Sequence, residues 1–248
     1  METDITVLMI HYRDLVLAVG PWFLIGLLGS VAVQEIQSAL KRVAGQPLTA
    51  ITGLVAVSMP SLYATVSLDA GFGVLRLGAV VIIAGFVALW GGKESDPRTC
   101  VLESFRSEVV KDDLPRSEIR SLWNKLQAGL EYTGPWFLGS CAATAVLIVV
   151  MPYEIGLQLF GQNVWLAILG MAVLGRLIPA GTAAEVPVAS FLLLKGADPA
   201  VAGVLLVSAA PLTVSIWDNS LSAKEARVWG LSLFLSAAAG SIGGRFLL

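Results

Sequence analysis

Charge is scarce in this 248-residue chain: Asp, Glu, Lys and Arg make up 14% of it, against about 25% in soluble domains. Hydrophobic residues reach 56%, a balance that belongs to a membrane protein. The net charge of −2 provides no basic field for nucleic acid. Histidine occurs once, at His11 ahead of the first apolar run, which excludes a multi-histidine metal site and a Ser/His/Asp triad. The two cysteines, Cys100 and Cys141, lie about forty residues apart with no C-x-x-C spacing, so neither a disulfide nor a thiolate metal site is expected from them. There is no HExxH, no Gly-rich phosphate loop and no EF-hand pattern. Nor does the start, METDITVLMIHYRDL, carry a basic n-region, so the first apolar run is expected to stay in the mature protein. The chain is therefore expected to be no enzyme and to need no metal or cofactor.

What is there is a succession of apolar runs long enough to cross about 30 Å of hydrocarbon. Residues 15–40 form the first, stopped by Lys41, Arg42, Gly45 and Pro47. Residues 48–68 form a second, interrupted at Pro60. After Asp69, Gly71 and Gly73, residues 74–90 form a third, ending at Trp90. Residues 93–132 are polar and hold seven of the sixteen Lys and Arg. Inside them Ile119, Leu122, Trp123, Leu126 and Leu130 recur at helical spacing, which predicts an amphipathic helix on the membrane surface or on the protein's own cytoplasmic face. The second half holds spans over 134–151, about 201–217 and 229–248. Between the first two of these lies a broken segment, 164–195, which would cross fully or turn back as a re-entrant hairpin. The last span is rich in Gly, Ala and Ser, which suits close helix packing inside the bundle. The domain reading is an N-terminal membrane repeat, 1–92, a cytoplasmic linker, 93–132, and a C-terminal membrane repeat, 133–248.

The densest chemistry lies in residues 175–211, GRLIPAGTAAEVPVASFLLLKGADPAVAGVLLVSAAP. Four prolines, Glu185, Arg176 and Lys195 interrupt apolar sequence there. A helix broken between Pro179 and Pro187 leaves backbone groups that lipid cannot satisfy, so the stretch must line a cavity or be covered by protein. Glu185 reads either as a proton- or cation-binding group of a transport path or as a structural partner of Arg176 or cap of the freed N–H groups. Arg176 reads either as a donor to an anionic substrate or as a side chain snorkelling to an interface or paired with Glu185. Lys195 reads as an interfacial anchor. Ser61, Tyr63, Thr65, Ser67, Thr182, Ser208, Thr213 and Ser215 would line a polar path or serve as interhelical hydrogen-bonding groups.

The pentapeptide GPWFL occurs twice, at 20–24 and 134–138, and AVSMPS around Pro60 parallels GRLIPA around Pro179. The chain reads as a duplication, each half with a proline-broken second element. Two such halves of opposite topology, meeting at broken helices near the midplane, are a transporter pattern.

These residues resemble the permease family that includes organoarsenical efflux proteins of the ArsP type. GPWFLG from Gly134, GRLIP ending at Pro179, Pro187 and LLLKGADPAVAGVLLVSAAP over 192–211 match its second half. The likeness in the first half runs from Gly20 to about Pro60. Where that family carries a cysteine-rich motif in the first break, MPSLYATVS over 59–67 has none. The resemblance implies a permease of two inverted halves. Together the expectations are an all-α polytopic membrane protein with about six to eight membrane segments, acting as a secondary carrier or exporter of a small solute. The alternative is a non-transporting membrane scaffold or assembly partner on the same fold. Pro60, Ser61, Thr65, Arg176, Pro179, Thr182, Glu185, Pro187, Ser208 and Thr213 are the expected pathway residues. The expected partners are the lipid bilayer of a bacterial inner membrane, an ion or small solute, and a second copy or another membrane protein.

Overall fold

The structure is a computed structural model that describes residues 2–40, 46–90, 118–179, 181–209 and 223–246. All regular structure among them is helical: α1 (Glu2–Leu40), α2 (Gln46–Val66), α3 (Ala70–Trp90), α4 (Glu118–Val150), the single turn α5 (Tyr153–Gly156), a π-helical turn (Leu157–Gln162), α6 (Val164–Leu177), α7 (Glu185–Leu194), α8 (Pro199–Ser208) and α9 (Ala223–Phe246). Among the described residues two helices, α1 over Ile5–Ile36 and α4 over Leu122–Val150, are long and apolar enough to cross a membrane. Both leave one face of large apolar residues exposed, among them Leu17, Leu28, Trp136 and Val150, as a lipid-facing helix does.

α1 and α4 pack as an antiparallel pair whose centre falls on the repeated pentapeptide. Phe23 and Phe137, the equivalent phenylalanines of the two GPWFL copies, stack with ring centroids 4.7 Å apart and planes 6° apart. Twelve residues further along α1 and twelve residues back along α4, Glu35 and Lys125 form an ion pair. Contacts displaced in opposite directions along the two chains fix the pair as antiparallel. The amphipathic stretch expected in the linker is no separate surface helix: it is the first four turns of α4, running without interruption into the span. Pro135 sits inside that helix, and Thr133 returns its hydroxyl to Gly129 O at 2.7 Å. Pro60 likewise lies inside a continuous α2, so among the described residues the first half has no counterpart to the break in the second. One proline removes one donor; ending a helix takes more.

The broken segment turns back on itself. The π-helical turn and α6 meet at 93°, and α6 ends at Leu177. Ile178 is extended, Gly181 and Ala183 take the left-handed region at φ 76° and 56°, and α7 begins at Glu185. The C-terminal end of α7 then returns beside the start of α6. Lys195 Nζ donates to Met151 O at 2.6 Å and Ile148 O at 2.9 Å, and Asp198 N donates to Phe160 O at 3.4 Å. Phe160 and Phe191 meet edge to face at 6.4 Å. Of the two readings of 164–195, the re-entrant hairpin is the one adopted, and Lys195 stands at the end of α4. It is buried, and its ammonium occupies the carbonyls that the end of α4 leaves open.

Asp198 then starts α8, accepting from Ala200 N at 2.8 Å with Pro199 in the first turn. α8 runs alongside and parallel to α6: Ser208 Oγ lies 3.3 Å from Met171 O, and a Cβ on Gly175 would collide with Ser208 and Leu205 O. On its other side α8 meets the small-residue face of α9. A Cβ on Gly240 would lie 2.5 Å from Val204 Cα, and one on Gly244 would lie 2.6 Å from Pro199 O. The Gly-x-x-x-Gly spacing of 240 and 244 thus brings two backbones together, as small residues do in membrane bundles. The opposite side of α9 is open, with Phe234 and Ile242 exposed. This helix is therefore buried along one face and not all round.

Candidate functional site at the helix break

α7 and α8 are ten residues each, about 15 Å or half the thickness of hydrocarbon. Their inner ends lie together: the first residue of α7, Glu185, and the last turn of α8. α3 delivers Arg76 to that place. Arg76 Nη1 donates to Leu206 O at 2.8 Å and Nη2 to Ala209 O at 3.4 Å, filling C-terminal carbonyls of α8. Nη2 also lies 2.7 Å from Glu185 Oε1, and both side chains are 1% exposed. One guanidinium thus ties the C-terminal end of one half-length helix to the N-terminal end of another and to its carboxylate, each charge sitting at the pole of the helix dipole that favours it.

The pair is close but incompletely bonded. Among the described residues no N–H or O–H is aligned on either oxygen of Glu185, and Arg76 Nε is also unmatched. The attraction is that of charges at short range, and each charge depends on the other for compensation in a dry interior.

Around the pair, the break is tied to both halves. Ser61 of α2 accepts from Ala183 N at 3.1 Å, Ser140 of α4 donates to Ala184 O, and Thr182 donates to Pro179 O at 2.8 Å while accepting from Ala184 N at 3.4 Å. Ser140 lies ten residues, about 15 Å, before the end of α4, so the break sits at mid-depth of that span. Gly181 packs on Val57 O, and its left-handed φ is one that glycine adopts freely. Ala183 holds a similar φ with a Cβ, a strain of about 1–2 kcal/mol that the Ser61 contact helps to hold. Such strain gathers at sites where geometry matters.

The expected pathway residues divide in two. Ser61 from the first half meets the break of the second at Ala183 N, between Thr182 and Glu185, whereas Pro60 backs onto Gly26 of α1; Pro179 lies in the extended link and Pro187 in the first turn of α7, where a missing N–H costs nothing. Thr65 and Ser208 spend their hydroxyls on helix carbonyls, Ser61 O at 2.6 Å and Leu205 O at 3.1 Å. Thr213 lies outside the described residues. Glu185 is not paired with Arg176; its partner is Arg76, to which the sequence reading assigned no role. Arg176 does not snorkel to an interface either. It is 1% exposed, with Nη2 3.3 Å from Ser236 Oγ of α9. The clue to Arg76 was present: a lone cation inside the apolar run 74–90 needs a partner.

Among the described residues no group of three or more His, Cys, Asp or Glu is placed to hold a metal ion. Compared with protein-family models, curated proteins and solved structures, the chain matches none.

Proposed function

We propose that the chain is a permease-like membrane transporter, a secondary carrier or exporter of a small solute with two inverted halves, akin to the ArsP-type permeases it resembles. The observation that carries this reading is the buried Arg76–Glu185 pair at the inner ends of two half-length helices. Half-helices ending at mid-depth, with a carboxylate at one pole, are how carriers build a central site. An intramembrane carboxylate is costly unless compensated; here it is the group that an ion or proton would engage as the halves rock. The antiparallel packing of α1 and α4 through equivalent residues of the repeat supports the inversion. A bacterial inner membrane is the proposed setting.

One observation favours the scaffold instead. Every residue over 181–187 is buried, as in a sealed core. The two readings part on water access. Single cysteines at Thr182 and Ala184, in a Cys100→Ser, Cys141→Ser background, are to be labelled with a membrane-impermeant thiol reagent from each side. Labelling from both sides is expected of a carrier. Protection from both sides in inserted, folded protein would leave the scaffold.

A further inference from the structure

Arg176 presents a charge imbalance. It lies twelve residues into α6, about 18 Å along the helix. Gly175 beside it packs on Ser208, in the last turn of the same helix whose carbonyls Arg76 fills. Two guanidiniums and one carboxylate are therefore buried in this region, and Arg76 takes the carboxylate. Three N–H groups of Arg176, on Nε and Nη1, have no acceptor among the described residues. Its one partner is the hydroxyl of Ser236, whose own proton goes to Leu233 O at 2.9 Å. An arginine stays charged in protein interiors, so among the described residues Arg176 lacks one unit of negative charge.

We infer that Arg176, with Ser236 beside it, is the binding group for a small monoanionic oxyanion, a carboxylate or a singly charged phosphate, and that this is the class of solute handled. The inference rests on the permease reading and gives it a substrate class. Planar, donor-rich guanidinium is suited to such groups. Arg76–Glu185 is already neutral as a pair, so the anion is drawn to Arg176.

The test uses full-length protein in lipid nanodiscs, melted in sodium chloride, whose anion is no oxyanion, and then in sodium formate or sodium phosphate near pH 6 at equal ionic strength. Wild type, Arg176→Gln, Arg176→Lys and Asp218→Asn are compared. Formate or phosphate is expected to raise the wild-type midpoint by about 4 °C at about tenfold above Kd. Arg176→Gln should show no such rise and should melt in chloride no lower than wild type, because an uncompensated charge has gone. Arg176→Lys, keeping the charge but losing the planar donors, should show a reduced rise. Asp218, outside the described residues, is the nearest carboxylate in sequence after α8. If Asp218→Asn lowers the wild-type midpoint and adding Arg176→Gln restores it, Asp218 is the internal partner and the inference is overturned. It is equally overturned if neither anion moves the wild type, or if both variants at Arg176 respond as the wild type does. Two-sided labelling at Thr182 alongside any of these failures would leave a carrier standing, but for a solute of another class.

Discussion

Replacing Arg76 with Met should be among the most damaging single changes to this protein, and removing Glu185 at the same time should undo most of the damage. Without Arg76 the Glu185 carboxylate is left in the interior with no counter-charge and no other donor among the described residues, which costs about 3–5 kcal/mol. The carbonyls of Leu206 and Ala209 lose their donor as well, adding about 1 kcal/mol. At about 2–4 °C per kcal/mol for a chain of this size, the midpoint should fall by about 10–20 °C. Glu185→Leu should cost less, about 2–3 kcal/mol, because Arg76 keeps its two carbonyls. In the double variant no unpaired charge remains, and its stability should come within about 1 kcal/mol of wild type. The four proteins are to be melted in nanodiscs and assembled into a double-mutant cycle, which isolates the pair. Additive losses, or an Arg76→Met variant within about 1 kcal/mol of wild type, would refute the claim that these charges compensate each other.

Gly181→Ala should lower the midpoint by at least 5 °C, since a Cβ there meets Val57 O and the φ of 76° is strained for any side chain; an unchanged midpoint would mean the break is not packed on α2. Cysteines at Glu35 and Lys125, in the background free of Cys100 and Cys141, should be joined by a short bifunctional thiol reagent, whereas a Glu35–Val149 cysteine pair should not. Equal yields for the two pairs would refute the antiparallel register of α1 and α4.

The helices of the first half and the break at 178–184 could be read from the residues, because each depends on local signals: long apolar runs, and Pro179, Gly181 and Pro187 within a few positions. The same signal misled at Pro60. It removes a single donor, and the continuing helix outweighs that loss, so α2 runs through it. Composition placed a boundary near residue 132, where the polar linker gives way to apolar sequence. Backbone hydrogen bonding does not respond to that change, and α4 extends from Glu118 across it. The partner of Glu185 was illegible for a different reason. Arg76 lies 109 residues away, and proximity in sequence favoured Arg176, nine residues off and on the preceding helix. Which arginine reaches the carboxylate is decided by the packing of α3 on α8, a property of the assembled bundle that no local pattern encodes. The doubling back of 164–195 likewise depends on a distant contact, Lys195 on the end of α4, 44 residues away.

α8 is buried at every position from Ala200 to Ala209, enclosed by α3, α6, α7 and α9. A helix with no outer side has no local way to expose its amides. Deuterium would reach its N–H groups only when several neighbours part together, so α8 should be the last segment to exchange, at the rate of the largest opening the molecule undergoes. The slowest amides of α8 would then act as an internal clock, reading the free energy of opening the whole fold in native lipid without any denaturant.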